Sequence, residues 1–239
     1  MLFNLFGAKN KKPEIIDYEK QKEFRYGSIV YSRIYKEGLY TGSYWDFFLP
    51  LPSLYENPSV LIIGLGGGTI PFQMQEIYKN KAKISVVEID KYTIELARKF
   101  LPSIKFGIIN ADGIKFVHES HNKFDVIVLD AYIKDTIPKE FLDESFIQDS
   151  HSALKEEGIL AVNYALGIRD LIRLNNYISK LRKYFGVYKL VSTHLIGNNI
   201  IVCSKQLDKE RIVKGITDSF PVDKNNRFIL DAYREMIPY

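Results

Sequence analysis

The sequence predicts an α/β protein, with a mostly parallel sheet covered by helices on both faces and closed by an antiparallel C-terminal hairpin. Two observations carry this prediction. Short apolar runs recur with helical segments between them, the pattern of parallel strands buried on both faces. Near the end the alternation gives way to two strand-like runs joined by a short polar link, which is a hairpin pattern.

The elements follow in chain order. MLFNLFGAKNKKPEIIDYEK puts a short apolar patch before its lysines, the reverse of a secretory signal. Residues 24–41 are dense in Tyr, β-branched residues and Gly, and predict a small β-hairpin or meander packed on the mouth of the main domain. SVLIIG (59–64) is the first parallel strand, and IPFQMQEIYKN after it is helical. KISVVEID (83–90) is the second, followed by KYTIELARKFL with apolar positions three and four apart. IKFGIIN (104–110), FDVIVLD (124–130) and GILAVNY (158–164) complete the parallel set. FGVYKLVSTHL and NNIIVCSKQ then pair across IGNN (196–199), and the tail from 207 reads as helices covering an edge. The chain divides into a hairpin or lid segment (1–52), the main α/β domain (53–206) and a helical extension (207–239).

Composition excludes several classes. The 239 residues, 46% hydrophobic and 26% charged, describe an ordinary globular protein with one large domain and a small appendage. No run approaches the roughly 18 apolar residues of a membrane span. The single Cys203 forms no internal disulfide, which agrees with a cytoplasmic location. A net charge of +4 is spread along the chain rather than gathered into a stripe, which argues against a nucleic-acid partner. His118, His121, His151 and His194 have no metal-ligand spacing with that cysteine, so no metal site is expected.

The chemistry starts in VLIIGLGGGTIP (60–71), with four glycines in five positions at a strand-to-helix turn. Such a turn lets backbone amides approach a ligand at a helix N-terminus, and a purely structural tight turn is the competing reading. The spacing is Gly64, Gly66, Gly68 with Gly67 added; Thr69 stands where the dinucleotide fingerprint has its last glycine. Glu88 ends the second strand, 20 residues past Gly68, where a carboxylate can accept from both ribose hydroxyls. Asp112 follows the third strand and Asp130 ends the fourth. Each alone could be a helix N-cap. Together, at the carboxyl edge where open α/β sheets bind ligands, they read as an adenosine site. No Lys or Arg stands near the loop, so a pyrophosphate fits less well than a nucleoside with a cationic sulfonium.

With VLIIGLGGG, VVEID, NADG, FDVIVLDAY, IPKEFLDESFIQDSHSALKEEGILAVN and IGNNIIVCSK in view, the chain resembles the spermidine synthase family of polyamine aminopropyltransferases over residues 42–205. The resemblance implies a Rossmann-like class I methyltransferase fold and a small-molecule amine substrate, with S-adenosylmethionine or its decarboxylated form as co-substrate. It also implies a homo-oligomer, a dimer or tetramer. Carried over, Glu88 holds the ribose, Asp112 the adenine edge, and Gly64, Gly66, Gly67 and Gly68 the methionine-derived chain. Asp130 resembles the first aspartate of the family's D-x-x-D loop and deprotonates the attacking amine. Tyr44 and Asp46 of SYWDF stand for the family's Tyr and Glu, and Tyr132 lies at the substrate. The departures are Thr69 for an aspartate near the aminopropyl amine, and Ile133 for the second loop aspartate, with Asp135 as its nearest replacement. A glutamine segment upstream of the Tyr and a His-containing C-terminal motif have no counterpart.

Two rival readings remain. Methyl transfer from intact S-adenosylmethionine is favoured by Thr69, which removes a charge that would repel the cofactor carboxylate. A nucleoside-binding protein without catalysis would use its Tyr-rich N-terminal segment as an interface. Trp45 and Tyr132 are as well explained by packing under that segment as by substrate contact.

Overall fold

The structure, a computed structural model, describes residues 13–133, 136–166, 171–190 and 197–239. An apolar run such as VLII needs partners on both faces, and β4 (Ser59–Ile63) finds them inside the main sheet. We number three N-terminal strands β1 (Glu14–Asp17), β2 (Gln21–Tyr26) and β3 (Ile29–Tyr35). The other parallel strands are β5 (Lys83–Glu88), β6 (Gly107–Asn110), β7 (Phe124–Leu129) and β8 (Leu154–Leu166). β9 (Gly186–Lys189), β10 (Gly197–Ser204) and β11 (Ile237–Pro238) follow. Among the described residues the main sheet has the order β11-β9-β10-β8-β7-β4-β5-β6.

Period-two alternation divides the core into two layers. Val60, Ile62, Val126 and Val128 face one side, where α1 (Thr69–Tyr78) and α2 (Lys91–Phe100) bring Ile70, Met74, Ile94 and Phe100. α6 (Lys209–Ser219) and α7 (Arg227–Arg234) complete that side with Ile212, Ile216 and Tyr233. Leu61, Ile63, Ile127 and Leu129 face the other side, against α3 (Gly113–His118), α4 (Glu144–Ala153) and α5 (Leu171–Leu181). Each fully buried aliphatic side chain contributes about 1.5–3 kcal/mol, which is why these runs fix the sheet.

Three details differ from the sequence reading. The N-terminal element is a three-stranded antiparallel sheet that starts ten residues earlier than the expected 24–41. β10 is antiparallel to both neighbours and inserts between β8 and β9, so the second strand of the hairpin lies inside the first. Of the expected link 196–199, Ile196 lies outside the described residues, and Gly197, Asn198 and Asn199 already pair with the long β8. The tail does more than cover an edge, because β11 adds a last antiparallel strand to β9. Among the described residues no helix is long and apolar enough to cross a membrane.

Candidate active site

The carboxyl ends of β4, β5 and β7 open into a cavity of about 720 Å³. The N-terminal sheet roofs it, with Tyr26, Ile29, Val30 and Tyr31 on its wall. Of the residues singled out from sequence, Gly64, Gly66, Glu88, Asp112, Asp130, Tyr44 and Tyr132 all line this one space.

Most of the loop glycines are required by the protein's own packing. Gly64 has φ +95, and a Cβ there would meet the Asp130 carbonyl oxygen at 2.4 Å. A Cβ on Gly67 would lie within 3 Å of Ser32, Phe24 and Phe100, because β2 and β3 lie directly on the loop. The Gly67 N–H donates to Ser32 Oγ at 2.8 Å. Gly68, at φ +89, caps α1 against Leu101. Gly67 and Gly68 therefore leave the ligand-contacting set and belong to the fit between loop and roof. Thr69 is buried too: its hydroxyl donates to the Arg33 carbonyl at 3.0 Å and accepts from the Arg33 N–H at 2.9 Å, and it does not line the cavity.

The carboxylates behave differently from one another. Glu88 accepts from the main-chain N–H of Leu65 and of Asp90, both at 2.9 Å, one on each oxygen. Burial pushes its carboxyl above the ordinary range, against the pull of those two amides. Asp112 caps α3, accepting from the N–H of Ile114 at 2.8 Å, so the helix-cap reading and the cavity-wall reading both hold for it. Among the described residues Asp130 meets a single side-chain donor, Asn163 Nδ2 at 2.7 Å, and burial pushes its carboxyl up to about 6. That value suits a general base near neutral pH.

Tyr44 lines the same cavity, its ring tilted 36° against that of Trp45 with centroids 4.6 Å apart. Burial first, and the Asp130 charge second, hold its hydroxyl protonated far above the usual phenol range. The Tyr132 hydroxyl is fully engaged: it donates to the Asn163 carbonyl at 2.6 Å and accepts from the Ala165 N–H at 2.8 Å. Its ring forms wall, and its hydroxyl ties the loop after β7 to β8.

Asp46 is corrected. It is completely buried away from the cavity, where its carboxylate accepts from the N–H of Thr41 and Gly42, the Thr41 hydroxyl and Gln73 Nε2. It braces the turn at 40–42 against α1, and its saturated oxygens leave nothing for a substrate. Asp135 lies outside the described residues.

Sequence reasoning missed Asn163, Asn198, Asp90 and Glu140 on the wall. For Asn163 a signal existed: it is the one amide in the apolar run GILAVNY. The wall carries Glu88, Asp90, Asp112, Asp130 and Glu140, and no Lys, Arg or His among the described residues that line it.

Comparison with known proteins bears on the family and the fold. The family model "Spermine/spermidine synthase domain" matches residues 48–206. The chain is 31% identical over 162 residues to polyamine aminopropyltransferase 1 of Aquifex aeolicus, covering 63% of this chain and 56% of that one. The chain thus spans about half the length of the curated relatives it matches. Among solved structures, a probable spermidine synthase from Corynebacterium glutamicum superposes with a TM-score of 0.73 at 15% identity, over 87% of this chain and 84% of that one. Human methyltransferase-like protein 13, solved with SAH, superposes with a TM-score of 0.58 at 24% identity, over 79% and 89%. Both share the Rossmann-like methyltransferase fold.

Proposed function

We propose that this chain, which belongs to the spermine/spermidine synthase family, transfers an aminopropyl group from decarboxylated S-adenosylmethionine to a small amine. The observation that carries the reading is the charge of the wall: five carboxylates and, among its described residues, no cationic side chain. The donor brings a sulfonium and a free ammonium, and the acceptor is an amine; this wall attracts all three. Intact S-adenosylmethionine adds a carboxylate, for which the glycine loop has little to offer. The N–H groups of Leu65, Gly67 and Gly68 are already donated to Glu88, Ser32 and the Leu65 carbonyl.

In this mechanism the neutral amine nitrogen attacks the carbon beside the sulfonium. The N–C bond forms as the C–S bond breaks, and the bonding pair goes to sulfur, leaving a neutral thioether. The surplus proton on nitrogen goes to Asp130, which is ionised at neutral pH with a carboxyl pushed up to about 6. Tyr44 orients the amine, and Glu88 and Asp112 hold the ribose and adenine edge. Asp135, the nearest replacement for the second loop aspartate, would hold the amine with Tyr44 and lies outside the described residues.

Methyl transfer is the second reading, and the observation in its favour is Ile133, which is 68% exposed on the cavity wall at the position of the second loop aspartate. Thr69 no longer argues for it, because its hydroxyl faces Arg33 and not the cavity. Calorimetry with S-adenosylmethionine, its decarboxylated form and methylthioadenosine separates the two. Tighter binding of the decarboxylated compound is expected; preference for the intact compound would turn the assignment to methyl transfer.

A further inference from the structure

Asn163 is 1% exposed, on β8 beside Asp130. Its Nδ2 donates to Asp130 Oδ1 at 2.7 Å, and its carbonyl accepts from the Tyr132 hydroxyl at 2.6 Å. Its Oδ1 is buried with no hydrogen-bond partner among the described residues. An orphaned buried acceptor is costly and asks for a reason. The main chain here is anchored on both sides, whereas the carboxamide is tied at one end only.

We propose that Asn163 is the positioning residue of Asp130, and that its carboxamide turns through half a rotation as that carboxyl gains and loses its proton. The inference rests on Asp130 as proton acceptor. An ionised carboxylate only accepts, and Nδ2 supplies the donor it needs. Once the amine proton sits on the Asp130 oxygen that faces the amide, that O–H needs an acceptor, which an NH₂ group cannot be. Rotation about the Cβ–Cγ bond brings Oδ1 to the same place. Because Oδ1 has no partner, the turn breaks no second bond, and each orientation leaves one amide atom unpaired. A donor fixed on Oδ1 would instead lock the side chain for the ionised state alone.

Among the described groups facing Asp130, the Asn163 amide is the one hydrogen-bonded to it, and the Tyr132 hydroxyl is already spent on the Asn163 carbonyl and the Ala165 N–H. Tyr44, from the turn Tyr44–Phe48, and Tyr132, after β7, are both phenols that burial keeps protonated throughout the range of a carboxyl. The other acids of the cavity wall, Glu88, Asp90, Asp112 and Glu140, lie on or next to other elements, and no cationic side chain is among the described lining residues. The carboxamide thus keeps Asp130 in one place before and after the proton moves, and a base that does not shift holds the amine in line.

The test uses the full ligand-free chain, following the Asp130 carboxyl carbon and the Asn163 side-chain NH₂ together by NMR from about pH 4 to 9. One Asn163 proton should be strongly hydrogen-bonded above the Asp130 midpoint and lose that bond below it, with a shared midpoint; in Asp130→Asn the Asn163 signal should not titrate. An Asn163 NH₂ that stays bonded and unchanged while Asp130 titrates overturns the proposal. No amine is present, so the result stands apart from the aminopropyl reading, which fails separately if no amine is turned over. Asn163→Leu keeps the volume and removes both amide functions; kcat should fall about tenfold, a loss of roughly 1.4 kcal/mol, with the donor KM unchanged. An unchanged kcat would equally overturn the proposal.

Discussion

Asp130 brings together the three things a base needs: a carboxyl raised to about 6 by burial, one side-chain donor, and a place on the cavity wall. Because its folded value lies above the ordinary 3.8, the folded state binds the proton more tightly, so stability falls as pH rises through that window and the loss is complete above it. The shift of about two pH units corresponds to about 3 kcal/mol. Asp130→Asn removes that term while its amide oxygen can still accept from Asn163. The variant should therefore melt higher than wild type at pH 7, with the gap closing towards pH 4 in calorimetric scans. Its turnover should fall by about 10²–10⁴, with nucleoside binding retained in calorimetry. At this scale the sequence was readable where an acid follows an apolar strand, as with Glu88 and Asp130. It was misleading at Asp46, because the same polar cluster serves a substrate or a turn equally well until the partners of each oxygen are known. Asp46→Ala leaves the N–H groups of Thr41 and Gly42 without their acceptor, and Gln73 Nε2 with the Leu39 carbonyl alone. A loss of about 3–5 kcal/mol in denaturant unfolding is expected, with no specific loss of ligand affinity among the molecules still folded.

The apolar parallel strands could be read because burial on both faces leaves little choice of residue. β1 and β2 could not, and Glu23 explains why. A glutamate in QKEFRY reads as solvent-facing, yet it is 1% exposed, held by Arg33 at 2.8 Å and by Arg25. Burial pushes its carboxyl up, but the two guanidinium groups outweigh that and hold it below the ordinary range. The buried face of this sheet is thus partly ionic, and hydrophobic periodicity misses it. β11 was hidden for another reason, since two residues carry no period at all. Gly67→Ala tests the contact between this sheet and the loop. The added methyl would lie within 3 Å of three side chains of the packed core and should cost about 1–3 kcal/mol in urea unfolding, with a loss of donor affinity as β3 lifts from the loop.

For the whole molecule, the parallel run of the sheet and the meeting of its carboxyl edge with the N-terminal roof decide where a ligand goes; the first followed from alternation and the second from the Tyr-rich segment before Val60, whereas the places of β10 and β11 in the sheet order did not follow. The size of the cavity and its one-signed wall did not, because they depend on which face each loop turns inward. A ligand bound to the folded chain alone stabilises it by about 2.7 kcal/mol at a hundredfold excess over Kd. For a chain of this size the melting temperature should rise by about 5–10 °C with decarboxylated S-adenosylmethionine, and by less at the same concentration of the intact compound.

Three hydrogen bonds tie β3 to the residues that start α1: Ser32 with Gly67, and Arg33 twice with Thr69. Roof and floor are therefore one fitted joint, and neither is an interchangeable part. Grafting the first 36 residues of a relative onto this core, a natural way to borrow another acceptor preference, would bring side chains shaped for a different loop against Gly67. Such a graft should work only when residues 64–69 travel with it, so these two distant stretches of the chain behave as a single unit of exchange.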